Sequence, residues 1–168
     1  MFKLKFKKLH PDAKAPSRAH RTDLGFDVYS IEDYTLEPGE QYRFDLGIAI
    51  ELPSYIVMGN VLVPTHNDSE TDVLIPHDIL LSPGLLFWDK SSIGNKEVKV
   101  MGGVIEATFR DEISVMLKNL SDKPVTFTKG QKLTQMLVTP IILCEAEEVD
   151  ELSDTERSTG GFGSTGTH

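Results

Sequence analysis

Nowhere in this chain do apolar residues recur at helical spacing over a long stretch, and that absence constrains the fold more than any other feature. Short runs with strand character take its place. Phe2–Phe6 and Tyr42–Leu46 alternate apolar with polar residues, and Ile48–Leu52 continues as a short apolar run. Val98–Val100, Ile113–Leu117, Val125–Phe127 and Leu137–Leu143 follow. Between them stand the turn pairs Pro38-Gly39, Pro83-Gly84, Gly102-Gly103 and Lys129-Gly130. Strands of this length and spacing predict an all-β barrel or sandwich. One short helix candidate covers Gly130–Met136, and no internal repeat is present.

With 168 residues, 39% of them hydrophobic, the chain suits a single domain that buries its own core. Its formal net charge of −9 argues against binding nucleic-acid polymers or anionic membranes. A phosphate ligand would need a local site and the help of a metal ion. The single cysteine, Cys144, excludes an internal disulfide and fits a reducing compartment. Met1–Leu9 alternates apolar and basic residues and lacks the continuous apolar stretch of a signal peptide. No run reaches transmembrane length. The expectation is a soluble cytoplasmic protein, in the host cytoplasm if the chain is viral.

Two segments stand apart from the strand pattern. The tail turns acidic from about Glu145 and then Gly/Ser-rich, as an arm of residues 145–168 leaving a barrel of residues 1–144. Arg157-Ser-Thr-Gly-Gly-Phe162-Gly-Ser-Thr-Gly166 combines glycines that permit close backbone approach with hydroxyls and serial N–H groups that cradle phosphate. Phe162 offers a flat face to a base, and Arg157 suits bidentate pairing with phosphate. The competing reading is a disordered terminus. Residues 60–87 form the other segment, with the polar run Asn67–Asp72 between Val61–Val63 and Val73–Ile75. His66, Asp68, Glu70, Asp72, His77 and Asp78 match no metal-ligand spacing, so a solvated hairpin is expected there.

Five segments, in order, resemble the five motifs of the trimeric dUTPase family, the hydrolases of deoxyuridine triphosphate. Thr22-Asp-Leu-Gly-Phe-Asp27-Val-Tyr-Ser30 is close to Ala-Gly-Tyr-Asp-Leu, and Lys90-Ser91-Ser92-Ile-Gly94 to Arg-Ser-Ser/Gly-Leu-Ala. Gly103-Val-Ile-Glu106-Ala-Thr-Phe109-Arg-Asp-Glu112 is similar to Gly-Val-Ile-Asp-x-x-Tyr-x-Gly-Glu. Gly130-Gln-Lys-Leu-Thr-Gln135 is similar to Gly-Asp-Arg-Ile-Ala-Gln, and the tail supplies the fifth motif. The resemblance spans nearly the whole chain except residues 60–87, and it includes phage and viral members of the family. It implies a homotrimer of jelly-roll-like β-barrels with a flexible C-terminal arm. It also implies a dUTP diphosphatase that forms dUMP and pyrophosphate by water attack at the α-phosphorus, with Mg²⁺ on the triphosphate.

The resemblance assigns roles residue by residue. Glu106 stands where the family has Asp and is the expected base; its extra methylene lengthens the reach by about 1.5 Å. Phe109 replaces a Tyr whose ring packs on the deoxyribose and leaves no room for a 2′-hydroxyl. The uracil is expected on main-chain groups of the Met101–Ile105 hairpin, which includes Gly103, Val104 and Ile105. Ser91, Ser92 and Gln135 match residues that hold the α- and β-phosphates, and Lys90 replaces an Arg there. Arg157, Ser164 and Thr165, with Gly163, would close over the γ-phosphate while Phe162 stacks on the uracil. Asp27 is expected to act through water near the metal, or to fix its loop. If Glu106 is not the base, Asp111 and Glu112 are the next carboxylates to consider.

Two rivals remain. The related dCTP deaminases place a catalytic Glu seven residues beyond the third-motif aromatic, where this chain has Met116, which cannot shuttle protons. The other rival is a dUTPase scaffold with altered nucleotide specificity or a regulatory role, binding a protein partner through residues 60–87.

Overall fold

The computed structural model describes residues 3–53 and 80–153. Among them are eleven strands: β1 (Lys5–Lys8), β2 (Phe26–Tyr29), β3 (Tyr34–Leu36), β4 (Gln41–Asp45), β5 (Ile48–Glu51), β6 (Leu80–Trp88), β7 (Val98–Met101), β8 (Val104–Ile105), β9 (Ser114–Asn119), β10 (Val125–Phe127) and β11 (Lys132–Leu143). One short helix, α1 (Ser91–Gly94), interrupts them. All the strand pairings are antiparallel. The strands form sheets of order β1-β5, β10-β3, β4-β9-β7 and β2-β11-β6-β8, which enclose one core. The expected all-β barrel is what the chain forms.

Strict period-two patterning makes β9 a half-buried strand: Val115, Leu117 and Asn119 point inward while Ser114, Met116 and Lys118 lie at the partly covered face. The barrel's centre is aromatic. Phe44 of β4 meets Phe127 of β10 edge to face, with centroids 5.2 Å apart, and both are fully buried. Truncating either to Ala would cost about 3–5 kcal/mol. The buried Asn119 is fully used. Its amide donates to the Leu36 and Lys123 carbonyls, and its oxygen accepts from Ser121.

Three local expectations are corrected. Residues 130–136 do not form a helix; they open β11, after a turn at Gly130 with φ of +80°. The pairing of β11 with β2 shifts register between Lys132 and Thr134, so Leu133 and Thr134 are both buried. That bulge breaks the strand alternation and leaves Leu133 and Met136 at a spacing that imitates a helix. Pro83-Gly84 is not a turn. It lies inside β6, where Pro83 faces Pro140 of β11. Two prolines can face each other only at a pair that exchanges no hydrogen bonds. The separate segment of residues 60–87 therefore shortens, because from residue 80 onward it is a strand of the largest sheet. Residues 54–79, with the acidic run and its histidines, lie outside the described residues.

Candidate functional site

The sheet β2-β11-β6-β8 carries four of the five motifs on adjacent strands. Asp27 is on β2, Gln135 on β11, Lys90 just beyond the end of β6, and Val104 and Ile105 make up β8. In the register, Gln135 stands opposite Asp27 on one side and Trp88 on the other. Gly25 makes this approach possible, because a Cβ there would lie 3.0 Å from the Gln135 Cβ.

Asp27 is the centre of a cluster of charges at the β2 edge of this sheet, with its side chain only 6% exposed. Lys90 Nζ donates to Oδ1 at 3.1 Å, and Lys132 Nζ lies 2.6 Å from Oδ2. Burial opposes ionisation of Asp27, but the hydrogen bonds and charges of Lys132 and Lys90 outweigh it and hold the carboxyl below the ordinary carboxylate range. Asp27 in turn raises the Lys132 ammonium above its usual value. Arg18 stacks over Phe26, 3.9 Å from the ring centroid, and Lys14 lies over Tyr29, so β2 is bordered by cations in a chain of net negative charge.

The Lys90 loop is tied down from both sides. Thr134 Oγ1 donates to the Trp88 carbonyl, and Asp89 accepts from the Val100 N–H at 2.7 Å and pairs with Lys99. Ser91 and Ser92 are exposed on α1, which Ile93 anchors in the core. The two serine side chains are thus presented outward on a fixed base, while Lys90 turns inward to Asp27.

At the opposite, β8 edge, Val104, Ile105, Glu106, Thr108 and Phe109 line a shallow groove of about 490 Å³. Glu106 is exposed, and no described residue donates to its carboxylate. Phe109 is 42% and Val104 64% exposed. A turn closed by the Phe109 N–H on the Glu106 carbonyl joins the base candidate to the ring. Arg110 secures it by donating to the Ala107 and Phe109 carbonyls. Gly103 has a specific reason to be glycine: a Cβ would meet the Phe87 carbonyl oxygen at 2.7 Å. Its own carbonyl accepts the Phe87 N–H at 2.7 Å, so strand β6 already uses one of its polar groups.

Arg157, Phe162, Gly163, Ser164 and Thr165 lie outside the described residues; residues 145–153, which lead to them, are exposed and without regular structure. Glu112 is committed elsewhere, since its Oε1 accepts the Gly47 N–H at 2.9 Å. Among the described residues Asp111 bonds only the adjacent Glu112 N–H. Met116 sits on β9 with its methyl close to Gly102. Sequence reasoning passed over Lys132, although it occupies the Arg of Gly-Asp-Arg-Ile-Ala-Gln, and it passed over Arg110. Among the described residues no three His, Cys, Asp or Glu side chains group to hold a metal, and both Asp27 oxygens face ammonium groups. These side chains do not fit direct Mg²⁺ coordination.

The dUTPase family model matches residues 61–166. The chain is 35% identical over 166 residues to the deoxyuridine 5'-triphosphate nucleotidohydrolase of Clostridioides difficile, with 99% of each chain covered. The chain belongs to the dUTPase family. The enzyme of the same name from Gloeothece citriformis is 37% identical over 164 residues, covering 98% of this chain and 97% of its own. In fold, this dUTPase is similar to that of Staphylococcus bacteriophage 80alpha bound to dUPNHPP, with a TM-score of 0.74, 22% identity and 99% of each chain covered. A mutant dUTPase from phage phi11 of S. aureus, described with a coordinated structural Mg(II) ion, has a TM-score of 0.69 at 20% identity, covering 91% of this chain and 100% of its own. Among the described residues no helix is long and apolar enough to cross a membrane.

Proposed function

We propose that the chain hydrolyses dUTP to dUMP and pyrophosphate, with Glu106 taking a proton from the water that attacks the α-phosphorus. The oxygen of that water bonds to phosphorus as the bond to the pyrophosphate oxygen breaks. Lys90, Ser91, Ser92 and Gln135 hold the α- and β-phosphates, and Phe109 packs on the deoxyribose. Arg157, Ser164 and Thr165 close over the γ-phosphate, and Phe162 stacks on the uracil. Members of the family use Mg²⁺; here the ion belongs to the substrate as counter-ion of the triphosphate, and the chain's own groups bind and move the proton.

The observation that carries this reading is the order of one sheet, which lines up motif-bearing strands β2, β11, β6 and β8 side by side. The same order supports a homotrimer with composite sites. β2 and β8 are the opposite edges of that sheet, roughly 14 Å apart at ordinary strand spacing. Glu106, which follows β8, thus starts from the edge far from Asp27 and is better placed to serve a neighbour's phosphate residues. In this arrangement one chain gives the first, second and fourth motifs, a neighbour the third, and the last chain its tail.

Pyrophosphate release from dUTP, measured beside UTP, dCTP and dTTP, tests the proposal. Selective turnover of dUTP by a trimer is expected. A folded protein that releases no pyrophosphate from dUTP, or a stable monomer with full activity, would overturn the corresponding part.

A further inference from the structure

The two lysines on Asp27 are not equivalent. Lys132 belongs to β11, its backbone paired with Tyr29 of β2, and it approaches Oδ2 to 2.6 Å. Lys90 stands between β6 and α1, outside both elements, and its contact with Oδ1 is longer at 3.1 Å. Lys90 is also the residue that the proposed function sends to the substrate phosphates. Moving it there would take a cation away from a carboxylate whose side chain is 94% covered. A carboxylate left unpaired in such a place is costly, so with one lysine alone the contact would hold Lys90 back.

We propose that Lys132 is a positioning residue for the triphosphate: by keeping one oxygen of Asp27 permanently paired, it leaves Lys90 free to exchange the other oxygen for a substrate phosphate. This deepens the reading given above and rests on its assignment of Lys90 to the phosphates. Lys132 acts through Asp27 and Lys90 and need not touch the nucleotide. Asp27 is then a holder of cations and not a metal-facing acid.

The test is a double-mutant cycle read by calorimetric titration with dUpNHpp, inorganic triphosphate and deoxyuridine. Lys132→Met should weaken both triphosphates by about tenfold, the loss of roughly one charge-assisted hydrogen bond from Lys90, and leave deoxyuridine binding unchanged. Adding Asp27→Asn to Lys132→Met removes the charge that captures Lys90 and should restore most of the lost affinity. Lys132→Arg should bind like the native protein. The cycle separates this role from a structural one, because loss of structure would weaken deoxyuridine as well and would not be repaired by a second substitution. Unchanged triphosphate affinity in Lys132→Met, or no recovery in the double variant, overturns the proposal; the latter result would make Lys132 a direct phosphate ligand. If the native protein binds inorganic triphosphate but not dUpNHpp, the dUTP reading fails while the cycle still decides the role of Lys132. If it binds neither, both fall.

Discussion

Around Asp27 the carboxylate oxygens and the lysines meet within the chain, whereas around Glu106 the carboxylate, the Phe109 ring and the Val104 side chain face outward. One sheet carries both ends, but it finishes only the first. The Asp27 end is preorganised: its charges are paired and its loop is pinned by Asp89 and Thr134. The Glu106 end has its backbone fixed by Arg110 and Gly103 but its side chains uncovered. A groove with an apolar wall and an acid to which no described residue donates gains a low-dielectric environment only when something else covers it. The difference teaches that the positions of charge are set by the single chain, while exclusion of water at Glu106 is not achieved by the described residues alone.

The sharpest way to break this comparison is Glu106→Gln. The amide keeps the shape but accepts no proton, so turnover should fall by about a thousandfold or more while dUpNHpp binding stays near native. Rate and titration measured on the same preparation check it. Removing residues 157–168 should lower kcat/KM by roughly a hundredfold to a thousandfold, through loss of cationic and hydrogen-bonding stabilisation of the phosphoryl charge. The melting temperature of the ligand-free protein should be unchanged, because the core lies within the barrel.

Asp27→Asn strikes the prebuilt end and should do the reverse, costing stability of about 2 kcal/mol, between the values for exposed and buried ion pairs. Chemical denaturation measures it. The pH dependence has a definite sign. Asp27 titrates lower in the folded state than its ordinary 3.8, so its contribution is whole above that value and is lost as pH falls through the lowered one. At the other limit Lys132 titrates above its ordinary 10.5, so its contribution is whole below that value and is lost as pH rises through the raised one. Asp27→Asn should flatten the acid limb of the stability profile. The smallest effect is expected at Phe109→Ala, which should reduce discrimination between dUTP and UTP by about tenfold with little change in stability, as specificity assays with the two nucleotides would show.

Strands with clean alternation, such as β4 and β9, were legible from sequence because one face is buried and the other is not. β11 was misread at its start because a bulge rearranged that alternation, and β6 was missed because Pro83-Gly84 carries the signature of a turn. The proline opposite Pro83, Pro140, is 57 positions away in the chain, and only the fold brings the two together. The site shows the same limit. Lys90, Ser91, Ser92, Gln135, Glu106 and Phe109 were singled out through motifs. The pairing of Asp27 with Lys132, and the hold of Arg110 on the turn, depend on bonds that sequence spacing does not reveal.

β11 is clasped unevenly along its length. Its first residues, Lys132–Met136, are flanked by β2, and from Gln135 to Leu143 it is paired with β6. Gln135 and Met136 therefore have neighbours on both sides, while among the described residues Leu137–Leu143 are paired on one side only before the chain passes into the exposed residues 145–153. A pull on the arm would fray the strand from Leu143 backward, one rung at a time, and would be spent before it reached Gln135. Amide exchange should accordingly slow along β11 from its end toward its start. The arm and the start of β11 thus share a strand yet are mechanically insulated, so movement of the arm would leave Lys132–Gln135 in place.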